Sequence, residues 1–285
     1  MARIPFAGDL VAGRFVHRPN RFLVEARIPG STEPVKAHLP DPGRLRELLV
    51  PGAPVWLEPA RDRPGAPPRK TRWTLRLVES VDGSRLVSLD TTLPNRLVEA
   101  ALRARALPEF EGWELVRPEV TRGRSRFDFL LAEASGGAVG GSASRAGVEP
   151  RGGAEERPRR ELLLEVKSVT LVEDRVALFP DAVTARGRRH VEELAELARG
   201  GTDAGAGAQA RAGAHASADS GTRAAVLFVA QRDDVEEIRA ARSIDPAFAD
   251  ALADARAAGV SLLGRRCRVD AAGVSLLGPV PVSVG

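Results

Sequence analysis

The chain has 285 residues, of which 43% are hydrophobic, so it can form one large or two modest globular domains. It contains a single cysteine, Cys267, which excludes an intrachain disulfide and a cysteine-based zinc site. No stretch approaches the ~18 uninterrupted apolar residues of a membrane-spanning helix. We therefore expect a cytoplasmic protein with no membrane partner.

Basic and acidic residues nearly balance, at 42 and 38. Residues 1–90 hold 15 basic and 10 acidic residues, and the remaining 195 residues hold 27 and 28. A basic N-terminal third attracts polyanions, nucleic acid first, although this charge is equally typical of an ordinary solvated surface. Only Lys36, Lys70 and Lys167 are lysines. In a chain that otherwise uses Arg, a lysine suggests that a compact ammonium group matters.

Residues 1–90 are predicted to form a small β-barrel of the OB type. Segments rich in Val, Leu, Phe and Trp are separated by turn residues, and one short helix, Arg44–Val50, follows the third segment. The predicted strands are Leu10–His17, Arg21–Ile28, Val35–Leu39, Pro54–Pro59, Trp73–Glu79 and Arg85–Leu89.

Residues 91–285 are predicted to form an α/β domain, because strands alternate with helices from about Pro94 onward. The segments 134–159 and 200–222 are dominated by Gly, Ala, Ser and Arg, which cannot bury enough apolar surface to offset the entropy of ordering, so we interpret them as passive inserts. The predicted strands are Glu119–Leu131, Glu161–Thr170 and Ala224–Ala230, and the predicted helices are Asn95–Ala106, Thr184–Arg199 and Asp245–Ala258.

The residues best suited to chemistry are Asp128, in RFDFLL, and Glu165 and Lys167, in LLLEVKSV. Side chains alternate along a strand, so Glu165 and Lys167 point to one face, and Asp128 is expected on the neighbouring antiparallel strand. Ionised groups among apolar neighbours are costly unless they hold a metal or pair with each other. The trio predicts either a Mg²⁺ or Mn²⁺ site for phosphodiester hydrolysis or a buried ion pair that fixes strand register.

Other charged residues could extend this site. Glu99, on a predicted helix, could add a carboxylate to the metal cluster or could simply face solvent. Two groups of arginines are candidates for phosphate contacts, one just before Asp128 and one at the start of a helix, where a solvated basic turn is the alternative. The first group is Arg122, Arg124 and Arg126, and the second is Arg186, Arg188 and Arg189.

Three further features carry weaker signals. His190 is less favoured as a general base, because the trio needs no histidine. Asp181 could be a metal ligand or a helix N-cap, and the N-cap is favoured. Four aromatic residues of the N-terminal domain could stack on bases, but aromatics make up only 4% of the chain and a core role is favoured. They are Phe15, Phe22, Trp56 and Trp73.

Several segments resemble the sugar fermentation stimulation protein A (SfsA) family, over about residues 3–282 apart from the two inserts. The most specific is LEVKSVTLVEDRVALFPDAVTARGRRHVEEL, joined by RFLVEARI, AHLPDPGRL, TTLPNRLVEAAL and SRFDFLL. The resemblance implies an N-terminal OB-like domain followed by a PD-(D/E)XK restriction-endonuclease-like domain. It maps the acidic residue, the E-x-K pair and the helical Glu of that superfamily onto Asp128, Glu165, Lys167 and Glu99. Leu39 stands where the family has Cys, and Asp41-Pro42 where it has Asn-Thr, which leaves the role of that loop open.

Two functions from different classes follow. The first is a Mg²⁺-dependent nuclease, acting on DNA first, in which the OB-like domain holds the nucleic acid. The second is a DNA-binding regulator of sugar-utilisation genes, as the name of the resembled family implies, built on a nuclease fold without turnover. The intact carboxylates and Lys167 favour the nuclease. The choice between DNA and RNA stays open, as does a homodimer.

Overall fold

A computed structural model describes residues 1–60, 70–134, 159–200 and 222–285. The predicted inserts, 134–159 and 200–222, lie outside the described residues except at their first and last positions. None of the helices in the described ranges is long and apolar enough to cross a membrane. The helices are α1 (Leu93–Arg103), α2 (Ala185–Ala198) and α3 (Pro246–Ala257), with a short 3₁₀ turn at Pro108–Phe110.

The strands fall into three sheets. The first seven are β1 (Arg3–Pro5), β2 (Val11–Asn20), β3 (Leu23–Arg27), β4 (Val35–His38), β5 (Pro54–Pro59), β6 (Trp73–Glu79) and β7 (Leu86–Ser88). The next five are β8 (Trp113–Arg122), β9 (Ser125–Glu133), β10 (Glu161–Val169), β11 (Val172–Glu173) and β12 (Val176–Phe179). The last five are β13 (Arg223–Ala230), β14 (Glu237–Ala240), β15 (Ser261–Asp270), β16 (Gly273–Val280) and β17 (Val282–Ser283).

Strands β2 to β6 form a closed five-stranded barrel. Antiparallel pairs join them in the order β4-β3-β2-β5-β6, and a parallel pairing of β4 with β6 closes the barrel at Ala37↔Trp73. Strand β7 extends the sheet along β6. Closure removes exposed strand edges and encloses an apolar interior that includes Leu39, Leu57 and Leu75. The six strands predicted for this part of the chain coincide with β2 to β7.

The short helix predicted at Arg44–Val50 is wrong. Residues 46–48 form a turn, and Leu45 has a φ of +49°, which a right-handed helix cannot contain. Leu45, Leu48 and Leu49 are all buried in the barrel core. Burial of these three side chains therefore decides the local backbone over the helix propensity of the segment.

The second part of the chain is built on a seven-stranded sheet in the order β1-β16-β15-β13-β10-β9-β8. Strands β10, β13 and β15 are parallel, and their neighbours at both edges are antiparallel. Helix α1 packs on one face of the sheet and forms one apolar cluster with it. Helices α2 and α3 pack on the other face and share a second cluster. Strand β1 pairs with β16. The first residues of the predicted 1–90 domain therefore belong to the large sheet and not to the barrel.

The single strand predicted at Glu119–Leu131 is also wrong. Two antiparallel strands, β8 and β9, meet there in a hairpin whose turn contains Gly123 at a φ of +56°. The three predicted helices are confirmed to within three residues at each end, and Thr184 and Asp245 cap α2 and α3 by accepting hydrogen bonds from Gly187 N and Phe248 N.

Hydrogen bonds join the barrel to the large sheet. Asp181, predicted as a helix cap, instead accepts a hydrogen bond from Arg44 N of the barrel at 2.6 Å. Gln231, which is fully buried at the end of β13, donates to Asp90 O at 2.9 Å and to Ser168 Oγ at 3.1 Å. Net hydrogen-bond energies are modest, but a buried amide left without partners is costly. These contacts therefore fix how the two parts of the chain sit against each other.

We predict that Gly43→Ala destabilises the protein by about 1–3 kcal/mol, because a methyl group there overpacks the contact. A Cβ on Gly43 would lie 2.5 Å from Asp181 Oδ2 and 2.8 Å from Asp41 Oδ1, and both oxygens are held by backbone N–H groups. Gly278→Ala is the matched control, because its Cβ meets nothing within 4 Å. Urea unfolding of both variants measures the difference, and equal midpoints would contradict the packing described for Gly43.

Candidate active site between the barrel and the large sheet

The structure brings Asp128, Glu165 and Lys167 together on two adjacent strands. Asp128 lies on β9 and accepts a hydrogen bond at its Oδ2 from Val166 N of β10, at 2.7 Å. Lys167 Nζ donates to Glu165 Oε1 at 2.6 Å. The alternation of side chains on β10 places Glu165 and Lys167 on one face, as the sequence predicted. Asp128 thus contacts β10 at Val166, the residue between Glu165 and Lys167, and the charges of both of those residues act on its carboxylate.

Strand β9 is irregular at Asp128. Phe127 packs with the α2 side of the sheet and Phe129 with the α1 side, although residues two apart on a regular strand share a face. On the partner strand β8, Pro118 pairs with Phe129 and Val120 pairs with Phe127, while Glu119 between them has a φ of +51°. The irregularity lets the polar Asp128 leave both apolar clusters while its strand stays paired.

Glu165 is buried, with 5% of its surface exposed. Its Oε1 accepts from Lys167 and also lies 2.7 Å from His190 Nδ1 on α2. His190 is itself 5% exposed and packs edge-on against Phe127, with ring centroids 6.0 Å apart. Glu165 Oε2 is buried and has no hydrogen-bond partner among the described residues. The carboxylate is therefore held at one oxygen, while the other makes no hydrogen bond to the described residues.

Burial and neighbouring charges shift the pKa values of the two carboxylates in opposite directions. Burial, reinforced by the charge of Glu165, raises the pKa of Asp128 to about 6. Burial acts in the same direction on Glu165, but the hydrogen bond from His190 and the charge of Lys167 outweigh it and lower the pKa of Glu165. Glu165 thus keeps its charge to lower pH than Asp128 does, and Asp128 is the one that gains most from a nearby cation.

The structure gives Glu99 a different partner from the one expected. Its carboxylate pairs with Arg103 Nη2, one helical turn later, at 2.7 Å. The α1 residue that contacts Asp128 is Asn95, whose Nδ2 donates to Asp128 Oδ1 at 2.6 Å. Asn95 and Glu99 are four residues apart and so share a helix face. Sequence reasoning chose the residue with the charge and missed the one a turn earlier that makes the contact.

The three arginines before Asp128 do not lie along one strand. They surround the tip of the β8–β9 hairpin, where Thr121 pairs with Arg126 and Arg122 pairs with Ser125. Arg122 forms an ion pair with Glu161 at 2.8 Å. Arg124, in the turn, is the most open of the three, with 83% of its side chain exposed. Arg124 also lies 3.7 Å from Glu193, and Arg126 lies 3.5 Å from Glu119, so each arginine of the hairpin tip has its own carboxylate nearby.

The arginines of α2 also separate. Arg186 lines the cleft between the barrel and the large sheet. Arg188 lines a groove between α2 and α3, where it lies 3.4 Å from Glu192. Arg189 is exposed. Arg186 alone of the three therefore lines the same cleft as Lys167.

That cleft has a volume of about 670 Å³. One wall is the barrel loop at Asp41–Gly43 with Arg21, and the other is formed by β10 and the segment before α2. Lys167, 12% exposed, lies in the wall formed by β10. A ligand in the cleft would therefore contact both parts of the chain and reach the ammonium group beside Glu165.

Comparison with known proteins places the chain in a family. A profile described as the SfsA N-terminal OB domain matches residues 16–89. A second profile, described as the sugar fermentation stimulation protein RE domain, matches residues 92–207 and 214–273. The chain therefore belongs to the sugar fermentation stimulation protein (SfsA) family. The predicted fold class, an OB barrel followed by a mixed domain of helices and strands, is confirmed.

Relatives cover nearly the whole chain. A sugar fermentation stimulation protein homolog of Shouchella clausii is 41% identical, over 95% of this chain and 96% of that protein. A homolog of Moorella thermoacetica is 39% identical over the full length of both. The structure of Pyrococcus furiosus SfsA in complex with Ca²⁺ matches with a TM-score of 0.74 at 25% identity and covers 99% of both chains.

We predict that Asp128→Asn stabilises the metal-free protein above pH 6 by up to about 3 kcal/mol. This is the free energy that corresponds to the shift of the Asp128 pKa from its ordinary value of 3.8 to about 6 in the folded protein. The folded protein binds this proton more tightly than the unfolded chain does, so the wild type loses that stability as the pH rises from about 4 to about 6. Asn stays neutral and keeps both hydrogen bonds if the Asn95 amide turns over.

Urea unfolding in chelator across pH 4–8 measures this difference. Other groups also contribute to the pH dependence in both proteins, among them Asp41, whose pKa burial raises to about 6, and Glu47, whose pKa burial also raises, so the difference between the two profiles is the quantity that reports on Asp128. A variant whose stability follows the wild-type profile at every pH would show that Asp128 is not the group that titrates.

Proposed function

We propose that this protein is a divalent-metal-dependent phosphodiesterase that cleaves nucleic acid, with DNA as the favoured substrate. The observation that carries the proposal is the meeting of Asp128, Glu165 and Lys167 beside a cleft that spans both parts of the chain. Acidic residues on two adjacent strands, followed by a lysine two residues after the second, are also what the resemblance to PD-(D/E)XK nucleases leads us to expect. The second part of the chain is accordingly proposed to be nuclease-like.

The donor atoms suit a hard divalent cation. No group of three or more His, Cys, Asp and Glu residues in the described ranges is arranged to hold a metal. In this proposal the protein ligands are the two carboxylates, Asp128 and Glu165. Mg²⁺ is typically bound by one or two carboxylates, retaining waters and taking further ligands from substrate phosphates. The buried Glu165 Oε2, without a partner among the described residues, offers a free ligand position. The complex of Pyrococcus furiosus SfsA with Ca²⁺ supports a cation of this class.

Each side chain has a distinct role in this proposal. A bound Mg²⁺ would lower the pKa of a water molecule and offset charge on the phosphate. Lys167, held by Glu165, positions the attacking water or stabilises charge that develops on the phosphate. His190 fixes the Glu165 carboxylate from the α2 side, and Asn95 fixes Asp128 from the α1 side. The chain thus positions both carboxylates before the metal and substrate arrive, which favours catalysis by preorganisation.

Positive charge around the cleft supports a polyanionic substrate. Arg21 contributes from the barrel, and Lys167 and Arg186 contribute from the other wall. The aspartates in the cleft are already engaged in part: Asp181 accepts from Arg44 N and Asp41 from Gly43 N. Phosphate contacts position a nucleic acid without reading its sequence. We therefore propose that the cleft recognises the backbone.

A second candidate function is that of a DNA-binding protein without turnover. Its support is the ion pairing that leaves Lys167 on Glu165 and Glu99 on Arg103, with two carboxylates where three were expected. A buried Glu–Lys pair can fix strand register with no metal at all. In this case DNA affinity would not depend on divalent metal, which separates the two candidates by experiment.

Replacing a residue that only hydrogen-bonds a metal ligand costs about 10–100-fold in metal affinity. We predict that Asp128→Asn, which changes a ligand itself, lowers the Mn²⁺ affinity by more than this. Lys167→Ala should bind Mn²⁺ but cleave about 10²–10⁴-fold more slowly, if its ammonium group acts in proton transfer. Isothermal titration with Mn²⁺ and cleavage of labelled DNA and RNA, with Mg²⁺, Mn²⁺ or chelator, measure these effects.

The matched control is Glu133→Gln, which removes a carboxylate from the far end of β9, where it pairs with Arg160. It should bind Mn²⁺ and cleave like the wild type. A wild-type protein that binds no divalent metal at millimolar concentration would refute the phosphodiesterase and leave the DNA-binding protein. Unchanged metal affinity in Asp128→Asn would refute the role given to Asp128.

A further inference from the structure

Phe22 lies in the turn between β2 and β3, with 45% of its surface exposed. In the described ranges it is the only aromatic residue among the exposed large hydrophobic residues. Of the four aromatic residues considered for base stacking, Phe15 is buried and the two tryptophans are half-buried. Single exposed apolar side chains are common, so the position of Phe22 has to be considered together with its surroundings.

The neighbour of Phe22 connects it to the cleft. The Arg21 guanidinium lies over the Phe22 ring, 4.7 Å from its centroid, and Arg21 also lines the cleft that contains Lys167. On the opposite wall, Val183 is 69% exposed and Arg186 lies close by in the chain. Both walls of the cleft mouth therefore offer an apolar surface beside an arginine. Proteins that bind single-stranded nucleic acid combine these two features, stacking bases on aromatic rings and holding phosphates with positive charge.

The walls of the cleft touch each other at one end. Arg44 N of the barrel is 2.6 Å from Asp181 Oδ2, and Gly43 has no room for even a methyl group at this contact. The Arg18 guanidinium donates to the carbonyl oxygens of Gly43, Arg44 and Arg21. Arg18 thereby links the turn that carries Phe22 to the loop that touches the opposite wall. The cleft cannot widen without breaking these contacts, which favours one strand over a duplex.

We propose that this cleft binds a single unpaired strand of DNA, with one base stacked on Phe22 and the adjoining phosphates held by Arg21 and Arg186. The strand then leads to Lys167, and thus to the carboxylates proposed to bind the metal. This inference rests on the proposed function, because it assigns the substrate class of the same site. It also gives the barrel a specific task, which is to hold the unpaired strand at the entrance.

The test compares a labelled single strand with the same sequence as a blunt duplex, by fluorescence anisotropy in chelator. Base stacking on an aromatic residue is worth about 1–3 kcal/mol, so Phe22→Leu should lower single-strand affinity about 5–150-fold. Duplex affinity should not change. Phe22→Tyr keeps the aromatic face and should bind the single strand like the wild type. Val81→Ala, an exposed apolar residue of the same barrel that does not line the cleft, is the matched control and should bind both probes normally.

The outcomes separate this inference from the proposed function. A selective loss of single-strand affinity in Phe22→Leu, together with wild-type single-strand affinity in Phe22→Tyr, supports the stacking site. Wild-type single-strand affinity in Phe22→Leu, or equal losses on both probes, overturns the site while a nuclease that acts on other DNA stands. A wild-type protein that binds neither probe overturns the proposed function, and the inference with it.

Discussion

The hydrogen bond from Val166 N to Asp128 Oδ2 joins two strands at the point where their side chains change from apolar to ionised. A carboxylate at this depth is costly unless its oxygens are satisfied. Asn95 satisfies the other oxygen, and an irregularity in β9 turns Asp128 away from both apolar clusters. Glu165, on the strand beside it, is held from the α2 side by His190. The two helices on opposite faces of the sheet thus each support one carboxylate.

The barrel completes the site by supplying the second wall of the cleft. Its contact at Arg44 with Asp181, in the segment between β12 and α2, joins residues 137 positions apart in the chain. Gln231 makes a second contact: its side-chain amide donates to Asp90 O, just after the barrel, and to Ser168 Oγ, one residue after Lys167. The end of the sheet that carries Lys167 therefore also carries a contact that positions the barrel, so the two halves of the chain meet beside the charged residues.

Local patterns predicted the barrel strands, the three helices and the shared face of Glu165 and Lys167, because alternation and helical periodicity depend only on near neighbours. Choices that depend on tertiary contacts could not be predicted. The choice of Asn95 over Glu99 depends on how α1 sits over the sheet. The pairing of β1 with β16 and the buried turn at Leu45 depend on residues distant in the chain. The tight contact at Gly43 has no local signal beyond the residue itself.

The central claim is that Asp128 and Glu165 bind one divalent cation between them. Anomalous diffraction from crystals of the wild-type protein soaked in Mn²⁺ tests it most directly, since it locates the ion without requiring activity. We expect an anomalous peak within about 2–2.5 Å of an oxygen of each carboxylate, the usual range for hard cations, and no such peak in Asp128→Asn. A wild-type peak elsewhere, or none at a concentration that saturates binding in solution, would contradict the account.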